Sequence, residues 1–279
     1  MFENYNYNFG DLTSRVNDIV DSSIGKIDRL DVLRKILSFI DLTTLSGDDT
    51  DEIVTQLCEK AMSYQDDSTN ISNVAAVCVY PNFAGIVSSL LVDSNVNTAC
   101  VAGAFPSGQS PLDIRISEVE YAVANGADDI DMVISRGKFL EGDLDYVSKE
   151  VNMIKTACGN AHLKVILETG ELGNAANIRK ASEIAILAGA DFIKTSTGKI
   201  QPAATPEAML IMIDTIKEYY EKTGKMIGIK PAGGISEPDE AIIYYLLVAE
   251  VLGEKWLSEK YFRIGASRLA DKVYNEIIK

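Results

Sequence analysis

Hydrophobic positions along this chain fall into two alternating patterns. Apolar runs of four to seven residues are each followed by a longer stretch with apolar residues at helical spacing. The short runs read as eight strands, at residues 37–42, 74–80, 98–104, 129–134, 163–169, 191–195, 226–230 and 262–265. The long ones read as helices, among them residues 51–62, 114–125, 144–157, 175–188, 206–221 and 239–252. Asp113 precedes the second of these helices, and Thr205 followed by Pro206 is an N-cap with proline at the first helical position. Gly224 and Gly253 lie where helices should stop. Residues 1–12 show no clear period and read as an irregular lead-in. Residues 14–33 carry Val16, Val20, Ile24, Ile27, Leu30 and Leu33, which predicts one or two short helices ahead of the main domain.

Strand ends recur roughly every thirty residues, the size of one βα unit. Eight units over about 240 residues are what a closed (β/α)8 barrel requires. The fold expected is therefore α/β: a TIM barrel over residues 34–279, with a helical extension at residues 1–33 packed on it. An open doubly wound sheet usually places G-x-G-x-x-G after its first strand. Here Thr43-Thr44-Leu45 stands there, without a glycine, and no Pro/Gly/Ser-rich linker divides the chain.

Side chains of a strand face alternately in and out, and a barrel's outward face must meet helices. In the fifth strand Leu163, Val165 and Leu167 share one face, which puts Lys164 and Glu168 inside. In the fourth, Ile130, Met132 and Ile134 face out, so Asp129 and Asp131 face in. Lys194 and Lys230 stand at the C-terminal rim of adjacent strands, where barrel enzymes place their chemistry. A satisfied ionic plug is one reading of this set. The other is a lysine held neutral so that it can attack a carbonyl. A free lysine is about one part in 2,500 neutral at pH 7, and bringing its pKa near 7 takes about 4 kcal/mol. A neighbouring ammonium plus burial can supply that, with Asp131 within reach of both lysines.

Glycine turns follow three strands: Gly198-Lys199, Gly233-Gly234 before a helix opened by Ser236, and Gly265-Ala266-Ser267. Barrels often bind phosphate with the loops after strands seven and eight, where bare backbone N–H groups approach the oxygens. The net charge of −15 makes such a local donor cluster necessary for a phosphorylated ligand, and it argues against nucleic-acid and membrane-surface partners. The single histidine, His162, rules against His-based triads and Cys/His metal sites and reads as structural or at the surface. Cys58, Cys78, Cys100 and Cys158 include no C-x-x-C pair and read as buried, reduced thiols of a cytoplasmic protein. The N-terminus has no signal-peptide pattern.

Six segments, in order, resemble the deoxyribose-phosphate aldolases. They are Asp41-Leu42-Thr43, Val77-Cys78-Val79-Tyr80-Pro81, the stretch from Gly126 to Val133, that from Leu163 to Gly170, that from Phe192 to Gly198, and Lys230-Pro231-Ala232-Gly233-Gly234. The resemblance implies a class I aldolase that reversibly cleaves 2-deoxy-D-ribose 5-phosphate to D-glyceraldehyde 3-phosphate and acetaldehyde, in deoxyribonucleoside breakdown, with no cofactor or metal. It implies Lys194 as the Schiff-base lysine, Lys230 as the residue that lowers its pKa, and Asp131 as a proton shuttle. It implies a substrate pocket lined by Asp41, Thr43 and Cys78, the last packing the wall without chemistry. It also implies a phosphate site of Gly198, Lys199, Gly233, Gly234, Gly265 and Ser267. A homodimer suits the family. Arg268 stands where relatives often carry a second serine, and the last tyrosine, Tyr274, lies in an expected helix rather than a tail. Another Schiff-base aldolase of this barrel type, or a non-catalytic sugar-phosphate binder, is the alternative.

Overall fold

Eight parallel strands form the expected barrel in a computed structural model that describes residues 2–279. They are β1 (Ile40–Thr43), β2 (Ala76–Val79), β3 (Asn97–Ala102), β4 (Asp129–Val133), β5 (His162–Ile166), β6 (Phe192–Lys194), β7 (Gly228–Lys230) and β8 (Ile264–Ala266). Each pairs with its neighbours in chain order, β1 pairs with β8, and bridges from Ile229 to Phe262 and from Ala232 to Gly265 join β7 to the β8 segment. Closure leaves no open sheet edge.

Among the described residues, eleven α-helices accompany the strands. Ahead of the barrel lie α1 (Phe9–Ser23) and α2 (Arg29–Ser38). After β1, β2 and β3 come α3 (Asp51–Met62), α4 (Ala84–Leu91) and α5 (Leu112–Ala124). The β4–β5 connection holds α6 (Arg136–Leu140) and α7 (Leu144–Ala157). The rest are α8 (Ala175–Leu187), α9 (Pro206–Thr223), α10 (Pro238–Val251) and α11 (Leu269–Ile277).

Strand parity sorts the interior into two compartments. Val77, Val79, Cys100, Ile130, Met132, Leu163, Val165, Ile193 and Ile229 belong to the large core shared with the helices. Ala76, Cys78, Ala99 and Val101 form a separate small apolar cluster on the lumen side. The lumen's charged side chains sit on the same inward positions. Gly228 shows how tightly the space is used: a Cβ there would stand 2.3 Å from the Phe192 ring on β6.

Several boundaries differ from expectation. Residues 9–12 are helical rather than irregular, because Asn8 and Asp11 form a capping box that starts α1 at Phe9. Leu12, Val16 and Ile19 are its buried face, and Arg15 and Tyr5 both bond to Asp214 of α9. Leu37, expected in the first strand, lies in the last turn of α2 instead, where Val32, Leu33, Ile36 and Leu37 share one buried face. The division expected after residue 33 falls within α2. Asp113 is not a cap: Pro111 holds that position, and Asp113 lies in the first turn of α5. Thr205 does cap α9, accepting the Ala208 N–H, and Gly224 ends that helix in a left-handed conformation, φ +71°.

Gly228→Ala should destabilise the barrel by about 1–3 kcal/mol through overpacking against Phe192. Urea unfolding at neutral pH measures this, and an unchanged midpoint would contradict the contact.

Candidate active site

The lumen carries a cluster of seven charged side chains. Asp131 on β4 places Oδ2 2.7 Å from Lys194 Nζ on β6 and 2.7 Å from Lys230 Nζ on β7. Lys230 also reaches Asp41 Oδ2 on β1 at 2.5 Å. Lys164 on β5 contacts Asp129 at 2.7 Å and lies 3.5 Å from Asp41 and 3.7 Å from Asp131. Arg263, just before β8, bonds Asp41 at 2.7 Å and Asp129 at 3.4 Å. Four cations thus face three carboxylates, so the cluster balances when one cation is neutral. At the floor, Asp129 also meets His162 at 3.2 Å, whose side chain is 56% exposed.

The two rim lysines share an oxygen but differ in electrostatics. Burial pushes Lys194 below the ordinary lysine pKa and the charge of Lys230 adds to this, while Asp131 pulls the other way and does not prevail. Burial also works against the charge on Lys230. There Asp131 and Asp41 outweigh it and hold Lys230 above the ordinary value. Burial opposes ionisation of Asp131, yet Lys194, Lys230 and Lys164 bring its pKa down to about 2. Neighbouring groups whose pKa values are pushed apart are a recurring feature of functional sites.

A cavity of about 260 Å³ opens at the C-terminal ends of the strands. Its wall includes Lys194 and seven of the sequence-derived binding residues: Thr43, Gly198, Lys199, Gly233, Gly234, Gly265 and Ser267. Arg268 lines it as well. Asp41 and Cys78 lie deeper and are fully buried, Asp41 in the ionic cluster and Cys78 among small apolar residues. Burial pushes the Cys78 thiol up, which suits packing rather than nucleophilic work.

Glycine is required here by close approach. A Cβ on Gly233, at φ +87°, would stand 2.8 Å from the Cα of Gly198. A Cβ on Gly265 would meet Ala232 at 2.8 Å and Lys230 Cε at 3.2 Å, so its absence makes room for the Lys230 side chain. Thr195 ties the two strand ends together, accepting the Ala232 N–H at 3.0 Å. One expectation is corrected. Ser236 does not open a helix toward the mouth, because α10 begins at Pro238 behind the cap residue Glu237. Glu240 then accepts the N–H groups of Ser236 and Glu237 at 2.7 and 2.9 Å, leaving an acid on that terminus. The N-terminus of α11, directly after Ser267 and Arg268, has no side-chain cap. An anion at the mouth suits that end.

Sequence reasoning missed Arg263. Parity would have found it: Phe262 and Ile264 join the outer core, so the residue between them points inward. Glu168 was expected in the lysine network and is not part of it. β5 ends at Ile166, and Glu168 turns with φ +56° toward Thr197 and Arg136.

Comparison with known families places this closed barrel, with two lysines on one carboxylate beside a glycine-lined mouth, among the barrel aldolases. The family model of DeoC/LacD family aldolases matches residues 35–246. The deoxyribose-phosphate aldolase of Homo sapiens is 44% identical over 88% of this chain and 80% of its own length, and that of Mus musculus has the same identity and coverage. The solved deoxyribose phosphate aldolase of Aeropyrum pernix superimposes with a TM-score of 0.74 at 26% identity, covering 94% of this chain and 98% of its own. The chain belongs to the DeoC/LacD aldolase family and is a carbon–carbon lyase. Among the described residues, no helix is long and apolar enough to cross a membrane.

The cluster should make the fold acid-labile. Asp131 is lowered from 3.8 to about 2 on folding, and Asp41 and Asp129 are lowered as well. Their stabilisation is present above the unfolded value and is lost as pH falls through the folded ones. Tm should therefore hold down to about pH 5 and drop steeply from about pH 4 toward 2. Differential scanning calorimetry across that range checks this, and a Tm that rose on acidification would contradict it.

Proposed function

We propose that this protein reversibly cleaves 2-deoxy-D-ribose 5-phosphate to D-glyceraldehyde 3-phosphate and acetaldehyde through a Schiff base on Lys194. The observation that carries the proposal is the shared carboxylate. Lys194 and Lys230 contact one oxygen of Asp131, yet burial leaves Lys194 below the ordinary lysine value while Asp131 and Asp41 hold Lys230 above it. Lys194 is the group available as a neutral amine, and Lys230 keeps its charge.

Neutral Lys194 adds to the aldehyde carbon of the open-chain sugar, and uptake of a proton with loss of water gives an iminium. The C3 hydroxyl gives up its proton to a water activated by Asp131 and Lys230. The C2–C3 bond breaks, and its electron pair moves into the iminium to form an enamine. Glyceraldehyde 3-phosphate leaves. Protonation of the enamine at C2 and hydrolysis release acetaldehyde and restore the amine. Asp131 Oδ1 has no hydrogen-bond partner in the protein, which leaves it free to handle a proton. The glycine turns, Lys199, Ser267 and Arg268 supply donors for the phosphate at the mouth. Such cleavage belongs to deoxyribonucleoside breakdown, and four buried free thiols suit the reducing cytoplasm.

Incubation with acetaldehyde and borohydride should leave a reduced adduct on Lys194, read by peptide mass spectrometry. An adduct on another lysine, or none, would sink the assignment. Lys194→Ala should abolish both trapping and turnover. Asp131→Asn should lower kcat by roughly 10²–10⁴-fold, the range for loss of a general acid–base group.

A further inference from the structure

Glu168 lies outside the lysine cluster, and the proposed reaction makes no use of it. It is nonetheless fully buried, with a left-handed backbone at φ +56°. Residues with long side chains seldom adopt that conformation, and such outliers persist where their surroundings over-determine them. Here the surroundings are specific. Glu168 Oε1 accepts the Thr197 N–H at 3.1 Å, and Oε2 accepts the Thr197 hydroxyl at 2.5 Å. The same hydroxyl oxygen accepts the Lys199 N–H at 3.1 Å. One carboxylate thus holds the turn Thr197-Gly198-Lys199, and all three residues line the mouth cavity.

Arg136 holds Glu168 from the other side. Its guanidinium meets Glu168 at 3.1 Å and Glu171 at 3.1 Å, and donates to the Ser107 carbonyl at 3.0 Å. The loops after β3, β4 and β5 are thereby tied together. The loop after β5 also abuts the one after β6: a Cβ on Gly170 would lie 2.1 Å from the Pro202 carbonyl oxygen. Lys194 has separate anchors, in β6 pairing and in Asp131.

We infer that Glu168 is a positioning residue that fixes the Thr197–Lys199 turn and so sets how strongly the enzyme prefers phosphorylated substrates over unphosphorylated ones. The inference rests on the proposed reading that this turn helps hold the phosphate. Because the reacting amine is anchored elsewhere, loosening the turn weakens capture of the phosphate and leaves the amine in place.

The test compares kcat/KM for 2-deoxyribose 5-phosphate and for 2-deoxyribose in wild type and Glu168→Gln. The variant should lose roughly tenfold or more on the phosphorylated sugar, the effect of losing one charge-assisted hydrogen bond. Activity on the unphosphorylated sugar and acetaldehyde trapping at Lys194 should stay unchanged. This ratio is not moved by a general loss of folded protein. If Glu168→Gln does not fold, Arg136→Gln carries the same comparison, with the same selective loss expected. Equal losses on both sugars, or none on either, overturn the role of Glu168. A wild type that shows no preference for the phosphorylated sugar overturns the phosphate reading beneath it, whatever the variant does.

Discussion

A single carboxylate oxygen, Oδ2 of Asp131, receives both rim lysines, and the lumen is arranged around that contact. Burying charges is expensive, and an ion pair in a protein interior is often no more stabilising than apolar residues of the same volume. A barrel filled only for stability would have used such residues, as its helix-facing layer does. The lumen instead holds one more cation than carboxylates, and the cation in contact with fewest acids is Lys194. Lys230 is in contact with Asp131 and Asp41, whereas Lys194 has Asp131 alone. The inequality between two otherwise similar lysines comes from where β1 places Asp41.

Much of this was legible in the sequence because strand parity is a local property. Inward Asp131 and Lys164 follow from apolar residues on either side of each, Asp129 follows from its parity with Asp131, and Arg263 is flanked by Phe262 and Ile264 in the same way. Parity fails where a strand stops early. Glu168 has the right spacing to face the lumen, but the backbone leaves the extended conformation after Ile166, and the side chain goes elsewhere. No apolar pattern records that turn, since the carboxylate that stabilises it bonds to a residue 29 positions away. The ordering of helices around the mouth was partly readable. The Glu237–Glu240 capping box is visible in the sequence and already marks the N-terminus of α10 as occupied by its own acid.

Glycines at the mouth and in the wall serve one geometric need by different routes. Gly233 lets two loops meet at backbone distance, Gly265 clears the path of the Lys230 chain, and Gly228 accepts the Phe192 ring. Of these, only the left-handed Gly233 is set by conformation as well as space. The others are dictated by what lies opposite, which the chain's own neighbours do not reveal. This is why the turns could be read in advance and Gly228 could not.

His162 gives the ionic cluster a second boundary. The contacts run from Lys194 at the mouth through Asp131, Lys164 and Asp129 to an imidazole that is largely in solvent at the opposite end. Barrel enzymes are usually described as having a chemical face and a structural face. Here a chain of polar contacts joins the two, so a residue placed on the floor is linked through Asp129, Lys164 and Asp131 to Lys194. A substitution at His162 therefore changes a contact of Asp129, which Lys164 in turn shares with the upper part of the cluster.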